Sequence, residues 1–138
     1  MRRLRKFLNL PESDQKLLIA AFFSVACIRI ALWTLPFNWV RRSVIRLSAD
    51  SAKPPSNSLS RLAGSIDLAS RFIPHATCLT KALAAQILMA HFGHKPLLRI
   101  GVRRDEAGRF QAHAWLEDGG VVIGGLDDLH TYSVLPPV

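Results

Sequence analysis

The stretch from Pro74 to His91 constrains this chain most, because it reads as a helix that begins on a cysteine. Thr77 stands where an N-cap hydroxyl is wanted, able to accept from a backbone N–H one turn in, and Cys78 then falls in the first helical turn. Ala82, Leu83, Ala84, Ala85, Ile87, Leu88 and Met89 follow. These are strong helix formers, apolar nearly all round, as a buried central helix requires. Gly93 supplies the stop and Pro96 lies just beyond it.

A cysteine at a helix start is chemically loaded. The unpaired N–H groups and the positive end of the helix dipole favour a thiolate, and the same N–H groups can hold an oxyanion once sulfur attacks a carbonyl. A free cysteine is also a common small core hydrophobe. Position alone leaves both readings open, and a partner histidine has to choose between them.

With 138 residues, 49% of them hydrophobic, the chain can bury a core as one domain with an added helical arm. Residues 1–50 read as a basic and apolar helical arm, 51–58 as a linker rich in Pro and Ser, and 59–138 as the core that holds Cys78 and the later strands. Cys27 and Cys78 are far apart in dissimilar settings, which fits the reducing cytoplasm better than a disulfide framework. The net charge of +8 is uneven, since residues 1–46 hold nine Lys/Arg against two Asp/Glu. Basicity therefore belongs to the arm and suits an anionic membrane surface or an acidic partner. No nucleic-acid motif or aromatic interleaving accompanies it, so nucleic acid is not expected.

Arg2, Arg3, Arg5 and Lys6 precede an apolar run, but Glu12, Asp14 and Lys16 interrupt the pattern and no small-residue cleavage site follows, so a signal peptide is not expected. Pro11-Glu12-Ser13-Asp14 reads as a helix start, and Pro36 ends that helix near Leu35. Its middle, Leu17 to Ile28, is nearly all apolar, and Arg29 cuts the run short of a membrane span. The expectation is a helix buried against the domain with Cys27 in the core, and peripheral membrane contact is the alternative. A shorter helix runs from Pro36 through Arg46, with Arg41, Arg42 and Arg46 as a solvated face. A third covers about Leu59 to Arg71, with Leu62, Ile66, Ala69 and Phe72 at helical spacing.

After the cysteine helix the period changes to two. Leu98, Ile100 and Val102 alternate with Arg99 and Arg103, and Asp105 to Gly108 signals a hairpin. On the returning strand, Phe110 to Glu117, the residues Phe110, Ala112, Ala114 and Leu116 share one face, and Gln111, His113, Trp115 and Glu117 the other. A third strand, Val121 to Gly125, and an extended piece around Thr131 to Leu135 complete a meander. The fold class is α+β: a cysteine at the start of a central helix packed on a small antiparallel sheet, preceded by N-terminal helices. His113, on a strand 35 residues after Cys78, suits a thiolate–imidazolium pair, because the strand holds the ring rigidly. Trp115 reads as packing beside the site or as an aromatic wall, and His75 as an ordinary loop residue, with a place in the cleft as the alternative. His91 and His94 suit the helix C-terminus rather than a metal, and His130 reads as surface or core.

Three motifs in order, Ala76-Thr77-Cys78-Leu79-Thr80-Lys81-Ala82-Leu83, Ile100-Gly101-Val102-Arg103-Arg104 and Ala112-His113-Ala114-Trp115-Leu116-Glu117, resemble the transglutaminase-like leader peptidases of lasso-peptide biosynthesis. The likeness covers about residues 15 to 135. It implies a papain/transglutaminase-like core and a cysteine protease with Cys78 and His113 in catalytic roles, removing the leader from a ribosomally made precursor. It also implies two partners: a small leader-binding protein and an ATP-using macrolactam synthetase. No cofactor and no metal are expected. The family often carries an aspartate on the strand after the histidine, about where Gly125 stands here. Asp127 shares that side-chain parity if the strand continues and is the expected third residue; Asp128 would need a turn or bulge. Glu117 lies roughly 13 Å along the strand from His113, too far to orient the ring directly. Acyl transfer by the same pair and a non-catalytic scaffold remain the alternatives.

Overall fold

The computed structural model describes residues 2–49, 58–74, 77–118, 121–123 and 132–134. Five helices, α1 (Arg2–Leu8), α2 (Glu12–Thr34), α3 (Phe37–Ala49), α4 (Leu59–Ser70) and α5 (Cys78–His91), precede four strands: β1 (Leu97–Arg104), β2 (Phe110–Asp118), β3 (Val121–Ile123) and β4 (Ser133–Val134). The strands form one antiparallel sheet in the order β3-β2-β1-β4. This is the α+β architecture expected, with Cys78 as the first residue of the central helix.

α5 is central because its sequence offers no solvent face. Ala82 through Gln86 and Leu88 through Ala90 are all buried, and α2, α3, α4 and β2 pack around them. One cluster joins Leu17, Ala21, Val25 and Ile28 of α2, Val40 and Val44 of α3, Leu62, Ile66 and Ala69 of α4, and Ala114 and Leu116 of β2 to α5. The small side chains Ala82, Ala84 and Ala85 let neighbouring elements approach the helix closely, while Leu83 and Met89 fill the space between. The helix ends as Gly93 and Pro96 foretell. Gly93 adopts φ 85°, and the His94 N–H reaches back to the Met89 carbonyl at 2.9 Å, closing a left-handed cap that satisfies the last turn.

Element ends follow local chemistry. Leu35, which precedes Pro36, is extended and stops α2. Ser58 caps α4 by accepting from the Arg61 N–H, while residues 51–57 of the expected linker lie outside the described residues. Between β1 and β2, Gly108 at φ 77° closes the turn, and the Asp105 carboxylate accepts from the Arg109 N–H at 2.9 Å. An ion pair between Arg61 of α4 and Asp14 of α2 fastens the two helices together.

Four expectations need correction. Cys27 is exposed rather than in the core. α2 is apolar around its whole circumference, so its sequence does not say which side faces inward, and the side that meets α4 and α5 is the one carrying Leu17, Ala21, Val25 and Ile28. Phe72 lies past the end of α4 and is exposed, and Phe110, at the start of β2, shares the parity of Ala114 and Leu116 but lies beyond the core and is exposed too. α1 was not foreseen; Gln15 anchors its end by donating to the carbonyls of Leu8 and Leu10.

Candidate active site

Cys78 opens α5, and Thr77 is its N-cap, as its sequence position foretells. The Thr77 hydroxyl accepts from the Thr80 N–H at 3.3 Å and lies 3.1 Å from the Thr80 hydroxyl, which is itself buried. The first intrahelical bond runs from the Lys81 N–H to the Thr77 carbonyl at 3.0 Å. The N–H groups of Cys78 and Leu79 therefore sit ahead of the helical ladder, at the positive end of the dipole. Cys78 is half-buried against the core cluster. One turn on, the Lys81 ammonium donates to Asp67 of α4 at 3.0 Å, and Arg71 reaches the other oxygen at 3.3 Å. The hydrogen bond from Lys81, with the charges of Lys81 and Arg71, outweighs desolvation and holds the Asp67 carboxyl below the usual carboxylate range. This bridge locks α4 to the first turns of the cysteine helix.

His113 stands mid-strand in β2, opposite Gly101 of β1. Its ring stacks on Trp115, with centroids 6.0 Å apart and planes 22° from parallel, and lies 5.9 Å from the ring of Tyr132. Trp115 is only 2% exposed and firmly held. Its indole N–H donates to Glu117 Oε1 at 3.1 Å, while Glu117 Oε2 accepts from Arg99 Nε at 3.2 Å. Its ring also lies against the backbone of Gly101, where a Cβ would sit 2.7 Å from the indole. Arg103 covers the far side of Tyr132, its guanidinium 4.7 Å from the ring centroid. The imidazole thus rests in a rigid aromatic seat, a condition for a side chain that must hold its orientation.

The alternation of β2 divides these residues between two faces. Ala114 and Leu116 enter the core with α5, while His113 and Trp115 leave on the opposite side with Tyr132. α5 and β2 pack against one another, and His94, just past the end of α5, approaches Asp118 at the end of β2 at 3.7 Å. Asp127 and Asp128 lie outside the described residues, as do His75 and His130. Glu117 is occupied with Trp115 and Arg99, and so acts on the histidine's neighbour. His91 is exposed beside Phe92. Among the described residues no three His, Cys, Asp or Glu side chains gather where they could hold a metal ion.

Strand parity put Trp115 and Glu117 on the face of His113, but the roles of Gly101 and Tyr132 were missed. Gly101 carries a legible signal, a glycine inside an alternating strand, which marks close approach of another group. Tyr132 carries none, because its place depends on how the chain returns to the edge of β1.

The model of the transglutaminase-like superfamily matches residues 24–136, most of the chain. The chain belongs to the transglutaminase-like superfamily. That superfamily generally includes cysteine peptidases and transglutaminases, so the match suggests thiol-based peptidase or acyl-transfer activity as the class of chemistry. No curated protein and no solved structure matches the chain. The matched segment starts within α2, so this transglutaminase-like domain draws its core from the N-terminal helices as well as from the cysteine helix and the sheet.

Proposed function

We propose that the protein is a cysteine peptidase that removes the leader from a ribosomally made lasso-peptide precursor, receiving it from a leader-binding partner and handing the core to a macrolactam synthetase. The observation that supports this reading best is Cys78 on a capped, buried helix packed against the strand that carries a firmly seated His113, in a chain of this superfamily. In the proposed cycle the Cys78 thiol gives its proton to His113, and sulfur bonds to the carbonyl carbon at the leader–core junction. The oxyanion accepts from the N–H groups of Cys78 and Leu79. His113 then protonates the departing core amine as the C–N bond breaks. Water hydrolyses the thioester, releasing the leader as its carboxylate and the core with the free amine that ring closure needs. Asp127 is the proposed group that orients the imidazole.

Because His113 leaves β2 on the face away from the core, the proposed meeting point is the edge of β2. Among the described residues β3 pairs with Leu116 to Asp118 of that edge. A helix of 14 residues spans about 21 Å. Counted back from Asp118 at about 3.3 Å per strand residue, that length reaches the level of Gln111 and Ala112, just past His113.

The test incubates precursor and leader-binding partner with wild type, Cys78→Ala and His113→Ala, and reads products by mass. Single-site cleavage lost in both variants is the expected result. An aminolysis product in place of the acid would assign acyl transfer, and equal silence of all three with the precursor bound would assign a scaffold. A second readout is independent of substrate. In a Cys27→Ala background, His113→Ala should alter the pH profile of Cys78 alkylation by iodoacetamide, and an unchanged profile would separate the two residues.

A further inference from the structure

We infer that the outer face of α2 seats the protein on an anionic lipid surface, an inference independent of the peptidase reading. α2 has two apolar faces. Leu17, Ala21, Val25 and Ile28 face the core. At about 100° per residue, Ile19, Phe23, Ala26, Ile30 and Trp33 fall on the opposite side as a continuous stripe. The stripe is uncovered: Trp33 is 79% exposed, Phe23 61% and Ile30 60%, and Phe22 flanks them. Its middle carries no charged residue, whereas both ends of the arm are basic. Arg2, Arg5 and Lys6 are exposed on α1, and Trp39, Arg42 and Arg46 share one exposed face of α3.

Arg29 does not cut the run short as expected: among the described residues α2 is the one helix long and apolar enough to cross a bilayer. Crossing would strip its inner face from α4 and α5 and break the Asp14–Arg61 pair, exposing buried residues such as Leu62 and Leu83. A helix held by its inner face and bare on its outer face instead lies in the plane of an interface, with tryptophans at the headgroup level and arginines against lipid phosphate. Charge complementarity selects an anionic surface, because residues 1–46 carry nine Lys/Arg against two Asp/Glu.

The full chain is floated with vesicles of phosphatidylcholine alone and of phosphatidylcholine mixed with phosphatidylglycerol. Wild type should bind the mixed vesicles and lose binding as salt rises. Phe23→Ser, Trp33→Ser and Ile30→Asn should each weaken it about tenfold or more. Arg42→Ala and Arg46→Ala should each weaken it about fivefold, on the anionic vesicles only. Thermal unfolding of each variant without lipid checks the fold, which these exposed positions do not support. Failure to bind either vesicle, wild-type binding by folded stripe variants, or equal binding to both vesicle types would overturn the inference. So would a lipid-free oligomer that Trp33→Ser dissociates in a protein that ignores vesicles; the stripe would then be covered by a second copy of the chain.

Discussion

Gly101→Ala is the sharpest test of the seat beneath His113. A Cβ built at Gly101 lies 2.7 Å from Cη2 and 2.9 Å from Cζ3 of Trp115, and 2.9 Å from Cβ of Tyr132. Real Cβ atoms do not approach so closely, so a neighbour must move. Trp115 is buried and tied through Glu117 to Arg99, and Tyr132 is held between the indole and Arg103. Overpacking of this kind costs about 1–3 kcal/mol. Replacing glycine inside a strand recovers about 0.5–1 kcal/mol of backbone entropy. The net expectation is a loss of up to about 2.5 kcal/mol, centred on about 1 kcal/mol, where Tm falls by about 3–4 °C for a chain of this size. Urea unfolding of wild type, Gly101→Ala, Trp115→Phe and the double variant checks the cause. A phenyl ring lacks the outer indole atoms, so Gly101→Ala should cost about 1 kcal/mol less in the Trp115→Phe background, with the Tyr132 contact keeping the relief partial. A Gly101→Ala protein as stable as wild type, or strict additivity in the cycle, would refute the close packing of this face.

Two further expectations concern the start of α5. Thr77→Ala should lower stability by about 1 kcal/mol in denaturant unfolding, and Thr77→Ser should restore most of it, because the hydroxyl caps the Thr80 N–H. Asp67→Asn should cost less than about 1 kcal/mol at neutral pH, since the Asp67–Lys81 and Asp67–Arg71 pairs are partly exposed and screened by solvent. The folded-state pKa of Asp67 is lowered, so its contribution is complete above the ordinary carboxylate pKa near 3.9 and is lost as pH falls through the lower folded value. The gap between wild type and Asp67→Asn should therefore close in strong acid, and a gap that persists there would mean that it does not come from the charge.

The sequence by itself determined the elements and most of their ends. Proline at 36, the hydroxyls of Ser58 and Thr77, and the glycines at 93 and 108 act within a few residues of chain, and each does so in the structure. Strand parity likewise separated Ala114 and Leu116 from His113 and Trp115, because a period of two needs no partner to be read. The candidate nucleophile and histidine were legible for the same reason, as a capped helix start and a mid-strand position.

What only the tertiary structure decided is which of several equivalent faces turns inward. α2 is apolar on all sides, and nothing local distinguishes Cys27 from Val25; packing against α4 and α5 does, leaving Cys27 and Trp33 outside. The aromatic seat is a second such decision. Gly101 comes from β1, Trp115 from β2 and Tyr132 from just before β4, and their contacts exist only once β1 is paired on both sides. A helix face or a cross-strand cluster is a property of distant residues made neighbours, and burial free energy, which selects among them, is not written in any one segment.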